Sequence, residues 1–130
     1  MDVLVVGGVQ GGLAIAFQLL RERVQNIQVI DSAEAGQEGP WLNYARMPTL
    51  RSPKEVNGPD LNIPSLTFQA WYDAQFGKLS WKKLNKIPTE LWVNYLKWFR
   101  KILSLPVQNR MQLIAFEPLQ GNIKVKIECL

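Results

Sequence analysis

Four aliphatic residues in succession, Val3-Leu4-Val5-Val6, stop abruptly at Gly7-Gly8. A run without polar alternation predicts a strand buried on both faces, as in a parallel sheet. Leu13, Ala16, Phe17 and Leu20 then recur at helical spacing, with Arg21, Glu22 and Arg23 at the polar end, which predicts a helix over residues 11–23. Ile27-Gln28-Val29-Ile30 reads as a second strand closing at Asp31. Strand, glycine turn, helix and strand compose a βαβ unit, and its crossover should be right-handed.

Periodicity lapses between Ser32 and Pro64, where glycine and proline recur too often for long regular elements. An irregular segment of that length inside a compact domain is functional or disordered. Ser65 is placed to cap a helix running to Phe76, with Gly77 as its stop. Thr89, after Pro88, caps a second helix in this reading. Its stripe of Leu91, Trp92, Tyr95, Trp98, Phe99, Ile102 and Leu103 ends before Pro106. Those aromatics suit core packing better than a ligand box. Residues 112–116 and the alternating 123–127 read as strands around a hairpin turn at Gln120-Gly121-Asn122.

The length of 130 residues fits one domain, and 47% hydrophobic with 20% charged residues is a globular balance that argues against disorder. The net charge of +4 is scattered. Its densest group, Lys78, Lys82, Lys83 and Lys86, lacks regularly spaced aromatics and reads as a solvated loop. No nucleic-acid partner is expected, and the charge supports at most a favourable field for anionic cofactors. Histidine is absent and Cys129 is the single cysteine. Disulfide frameworks, Ser-His-Asp and Cys-His sites are thereby excluded, and zinc is disfavoured. No catalytic residue and no metal ligand is nominated. Glu34 and Glu38 share a loop, but nothing fixes their separation as an acid–base pair. With no leader and no apolar span, a soluble cytoplasmic protein without a membrane partner is expected.

The chemistry rests on Gly7-Gly8-Val9-Gln10-Gly11-Gly12-Leu13. In the dinucleotide fingerprint G-x-G-x-x-G, the first glycine makes a tight turn and the second admits the pyrophosphate. The third lets helix and strand pack closely, and the helix N-terminus faces the phosphates. Gly7 and Gly12 take the first and third places, and Val9 stands in the second. Its side chain in the phosphate path would cost on the order of 1–3 kcal/mol. Asp31, at the end of the second strand, is placed to accept hydrogen bonds from ribose hydroxyls. Ser32 follows, with no arginine for a 2′-phosphate, so FAD or NAD suits the site better than NADP.

The order of these features resembles the flavin-containing monooxygenases and related class B flavoproteins. Their glycine turn has the form GGGQxGL, matched here except at Val9, and an acidic residue closes their second strand, as Asp31 does. Gly36-Gln37-Glu38-Gly39-Pro40-Trp41 is similar to the family's loop beside the flavin, and Leu50-Arg51-Ser52-Pro53-Lys54-Glu55 to a segment near its ring. The resemblance implies an α/β, Rossmann-like FAD-binding domain: a partial parallel sheet with helices and the start of a β-meander. It implies FAD contacts from Gly7, Gly8, Gln10, Gly11, Gly12, Asp31, Ser32, Trp41, Arg51 and, through its backbone, Leu113. Trp41 as a loop anchor, and Arg51 and Lys54 as solvated residues, stay open as alternatives. The family also needs NADPH, a second fingerprint and a closing segment, which these residues do not contain. One incomplete domain over 1–130 is therefore expected, inactive alone, with a second chain or a C-terminal half covering its open sheet face. A truncated remnant without tight FAD binding, or a nucleotide-binding or interaction module, is the competing reading.

Overall fold

A computed structural model describes residues 1–43, 47–55 and 58–130. The chain runs β1 (Val3–Val6), α1 (Gln10–Arg21), β2 (Ile27–Asp31), a 3-10 turn (Pro64–Leu66), α2 (Phe68–Phe76), α3 (Lys78–Lys83) and α4 (Thr89–Ile102). It ends with β3 (Val107–Asn109), β4 (Met111–Leu119) and β5 (Asn122–Cys129). β1, β2 and β3 form a parallel three-stranded sheet in that order, with Val5 opposite Val29 and Val29 opposite Val107. β4 and β5 form a separate antiparallel hairpin. The predicted βαβ unit is therefore present, and a parallel α/β sheet is the fold class.

The core is aromatic because α4 supplies it. Tyr95 and Phe99 are fully buried, and Phe99 meets Phe17 of α1 edge to face at 5.8 Å. Val5, Leu13, Ala16 and Val29 complete this layer between helices and sheet. A second aromatic nest joins Phe68, Tyr72 and Trp81 of α2 and α3 to Trp92 and Tyr95. Among the described residues, the stretch from 32 to 63 holds no helix or named strand, as its glycines and prolines predict. Residues 44–46 and 56–57 of that stretch lie outside the described residues. It is stitched to the start of α4 where Leu50 N donates to Ile87 O at 2.8 Å and Thr89 N to Pro48 O at 3.0 Å.

Several local expectations are corrected. β1 is buried on one face only, since Val6 is 59% exposed. Its outer face borders a groove of about 790 Å³ shared with Leu113, Phe116 and Ile123 of the hairpin, instead of a covering helix. α2 is capped by Thr67, whose hydroxyl accepts from Ala70 N at 3.1 Å, while Ser65 sits in the 3-10 turn that Pro64 begins. Of the lysine group, Lys78, Lys82 and Lys83 lie on α3, and Lys86 alone lies on a loop: Gly77, at φ +86°, breaks the chain and Trp81 anchors the new helix in the core. Pro88, not Thr89, is the N-cap of α4; Thr89 instead donates its hydroxyl to Met47 O at 2.8 Å. No local pattern in the sequence marks β3. Three residues carry no periodicity, and only pairing with β2 makes Val107–Asn109 a strand. Arg110, at φ +56°, separates it from β4. Among the described residues no helix is long and apolar enough to cross a membrane.

Phe116 and Ile123 are 67% and 66% exposed, and both hairpin strands keep one unpaired edge. The isolated chain should therefore self-associate as its concentration rises in size-exclusion chromatography, and F116S/I123S should reduce that association. A single, cooperatively unfolding monomer at all concentrations is the contrary result.

Candidate functional site

The glycine turn has the geometry its sequence predicts. Gly7 stands at φ +109°, a conformation that L side chains rarely adopt, and its amide donates to Ile30 O at 2.8 Å. A Cβ on Gly12 would lie 1.8 Å from Gly7 O, so only glycine lets α1 approach β1 this closely. Above Gly11 there is open space, with nothing within 4 Å of where its Cβ would be. Leu13 N is the first amide to find a helical acceptor, at Val9 O, so the amides of Gln10, Gly11 and Gly12 precede the helical ladder. That is an anion-binding geometry.

Val9 is compatible with the turn itself. It is the N-cap of α1 in extended backbone, φ −92° and ψ −171°. Its side chain points at the loop: a Cβ on Gly39 would lie 2.9 Å from Val9 Cγ1 and 2.8 Å from the Trp41 ring. A gap of about 30 Å³ remains beside Val9, Glu38 and Trp41, enough for roughly one water molecule. Val9 thus fills the space between the turn and the Gly39–Trp41 loop.

Asp31 stands beside the turn. Its Oδ2 accepts from Gly8 N at 2.7 Å and its Oδ1 from Ala33 N at 2.8 Å. The carboxylate bridges the two loops, and its remaining lone pairs can take further donors. Ser32 is exposed next to it. Gln10, Trp41 and Arg51 share a separate cavity of about 330 Å³ with Leu50, Ser52, Ile87 and Trp92. Arg51 is exposed, and no acid pairs with it among the described residues. Lys54 is half-buried and does not line the cavity. Its Nζ donates to Trp81 O at 2.6 Å and lies 4.6 Å from the Trp81 ring centre. Trp41 is half-buried and meets Trp92 at 6.3 Å, so it anchors the loop and walls the cavity together. Leu113 pairs with Ile127 in the hairpin and faces the groove beside Leu4 and Val6, apart from that cavity.

Two features had no sequence signal. Glu38 Oε1 accepts from Arg100 at 2.8 Å and from Asn109 at 2.7 Å, while its Oε2 accepts from Gly36 N at 2.8 Å. Arg100 also donates to Asn109 Oδ1 at 2.7 Å. This half-buried network pins the 36–41 loop to α4 and β3, and its members are too distant in sequence for spacing to reveal it. The second is Trp92, whose buried Nε1 has no hydrogen-bond partner. Tyr95, by contrast, donates to Leu66 O at 2.6 Å. Burial, and secondarily the Asp60 carboxylate, pushes its phenol well above the ordinary range, so it stays a donor.

A parallel sheet, a glycine turn at a helix N-terminus and an acid closing the next strand define a Rossmann-like dinucleotide-binding domain. The FAD-NAD(P)-binding family matches residues 4–117, and the chain belongs to that family. The proteins that it resembles include flavin monooxygenases, of each of which it matches a part. It is 54% identical over 117 residues to an FAD-dependent urate hydroxylase from Xanthomonas campestris pv. campestris, covering 90% of this chain and 25% of that protein. In fold it resembles a flavin-containing monooxygenase from Stenotrophomonas maltophilia, at TM-score 0.71 and 22% identity over 97% of this chain and 33% of that one. It likewise resembles an ornithine hydroxylase from Pseudomonas aeruginosa, at TM-score 0.72 and 14% identity over 99% of this chain and 34% of that one. The chain thus spans a quarter of the length of its curated relative and about a third of these structures.

The two inner glycines should respond oppositely in chemical denaturation. Gly12→Ala should cost about 3 kcal/mol or more, because its Cβ meets backbone oxygen. Gly11→Ala, in open space on the first helical turn, should be neutral or gain up to about 1 kcal/mol. Equal effects would refute the close-packing role of Gly12.

Proposed function

We propose that this chain is the FAD-binding portion of a flavin-dependent, NADPH-using hydroxylase, and that it is inactive without the remainder of such an enzyme. The observation that carries the reading is the Gly8–Asp31 hydrogen bond of 2.7 Å, which sets the ribose-binding acid beside the open helix amides. The residues fit a dinucleotide on structural grounds: the Gly7–Gly12 contact leaves no room for a side chain, and the space over Gly11 is free. In this reading Asp31 accepts from the ribose hydroxyls, and the amides of Gly11 and Gly12 hold the pyrophosphate. Gln10, Trp41 and Arg51 line the cavity on the other side of the helix N-terminus. Ser32 and Gly8 complete the ribose end, and Leu113 contributes from the hairpin. When bound, FAD supplies the redox chemistry. The chain binds it, orients it and excludes water, and none of its side chains need act as acid or base. The similarity to a urate hydroxylase supports an oxidised heteroaromatic substrate for the whole enzyme.

A second reading is favoured by one observation. Val9 packs on the Gly39–Trp41 loop, where a pyrophosphate would need room. On that reading the chain is a remnant that keeps the fold and has lost tight binding.

Titration with FAD, followed by flavin fluorescence, separates the two. The first reading expects saturable binding by the parent chain, tightened about tenfold by V9G as the steric cost is removed. Binding that appears only in V9G would support the remnant with Val9 as the cause of its loss, and no binding by either would overturn the first reading and the steric role of Val9.

A further inference from the structure

We propose that Arg100 is a positioning residue of the dinucleotide site: without touching the ligand, it acts through Asn109 and Ala33 to hold the Asp31 carboxylate in the orientation that receives the ribose. The inference rests on the FAD reading above. Asp31 is the last residue of β2, and Asn109 stands opposite it in the parallel register of β3. Ala33 links the two, with both of its backbone groups engaged. Its amide donates to Asp31 Oδ1 at 2.8 Å, and its carbonyl accepts from Asn109 Nδ2 and from Arg110 N, each at 3.1 Å. The Asn109 amide group also donates to Glu38 Oε1 at 2.7 Å, and its oxygen accepts from Arg100 Nη2 at 2.7 Å. A flipped amide would set a donor against the guanidinium, so Arg100 fixes which way Asn109 faces.

Arg100 is held in its turn by Glu38 Oε1 at 2.8 Å and by Val107 O at 3.3 Å, while Glu38 Oε2 accepts from Gly36 N at 2.8 Å. The Glu38 side chain is 12% exposed, so the ion pair is weakly screened and costly to break from one side. It secures residues 32–38, which have no helix or strand of their own to order them. One Asp31 oxygen is held by Gly8 N and the other by Ala33 N, and among the described residues no lysine or arginine pairs with Asp31. The direction of the carboxylate therefore depends on where Ala33 sits, and Asn109, Arg100 and Glu38 set that place. With Arg100 lost, the 33–38 segment would drift, Oδ1 would lose its donor, and the carboxylate would turn about its bond to Gly8. The lone pairs offered to the ribose hydroxyls would then lose their aim, and hydrogen bonds weaken steeply with misalignment.

The test uses Arg100→Lys, whose single ammonium cannot serve Glu38, Asn109 and Val107 together, and Glu38→Gln, which removes the charge and one of the two acceptor oxygens. Dissociation constants are measured, below the thermal midpoint of each variant, for FAD and for ADP, which carries the ribose and diphosphate without the flavin. Both constants should rise about tenfold, by the same factor for the two ligands, because the loss lies at the ribose end. In the free protein the Gly8 amide proton should move upfield in ¹⁵N-edited NMR, although Gly8 bonds to Asp31 and to neither substituted residue. A purely structural role would lower the midpoint alone, so an unchanged ADP constant in a folded variant overturns the inference and leaves the FAD reading intact. Weakened ADP binding with Gly8 unmoved overturns it too, because Arg100 would then act on the ligand directly. If R100K fails to fold, E38Q still decides. Failure of the parent chain to bind either ligand overturns the FAD reading, and this inference with it.

Discussion

The approach of Gly12 to the carbonyl of Gly7 governs the rest of the molecule. A side chain at position 12 would occupy the space of that oxygen, so the absence of one lets α1 start directly over the end of β1. From this contact follow the sharp turn at Gly7 and the outward aim of the first helical amides. The position of Gly8, within reach of Asp31, follows as well. Asp31 then couples two loops through one carboxylate, so the glycine turn and the end of β2, which in the proposed reading take the phosphates and the ribose, are mutually fixed. The arrangement exists before any ligand arrives. Little ordering is left for binding to supply at that end.

The other side of the site depends on α4. That helix fills the core with Tyr95 and Phe99 and sends Arg100 into Glu38 and Asn109. Through Glu38 it holds the loop that ends at Trp41, and through Trp92 it forms part of the cavity wall. The same helix is thus a core element and a scaffold for the cavity. Val9 sits between the two halves, with its backbone serving the turn and its methyl groups serving the loop.

The sequence made the first half legible because local rules control it. Unbroken aliphatic runs, helical spacing and glycine positions located β1, α1, β2 and the turn, and the acid at 31 followed from spacing alone. The stripe on α4 was equally readable, although its cap was misplaced: Thr89 turned its hydroxyl to Met47. What escaped depends on tertiary partners. β3 is a strand only because β2 lies beside it, and α3 exists because Trp81 finds a pocket among Phe68 and Tyr72. The Glu38–Arg100–Asn109 network joins residues 62 and 71 positions apart, which no local pattern announces. Burial of β1 on both faces was expected from its composition, yet a run of valine and leucine cannot say whether anything covers its second side.

The central claim is that the amides at the start of α1, beside Asp31, receive a dinucleotide. Amide NMR of the uniformly ¹⁵N-labelled chain during addition of FAD tests it most directly. The account predicts the largest shifts at Gly8, Gly11, Gly12 and Ser32, with a smaller one at the indole N–H group of Trp41. Shifts confined to the hairpin groove around Phe116, or to the lysines of α3, with the glycine turn undisturbed, would contradict it.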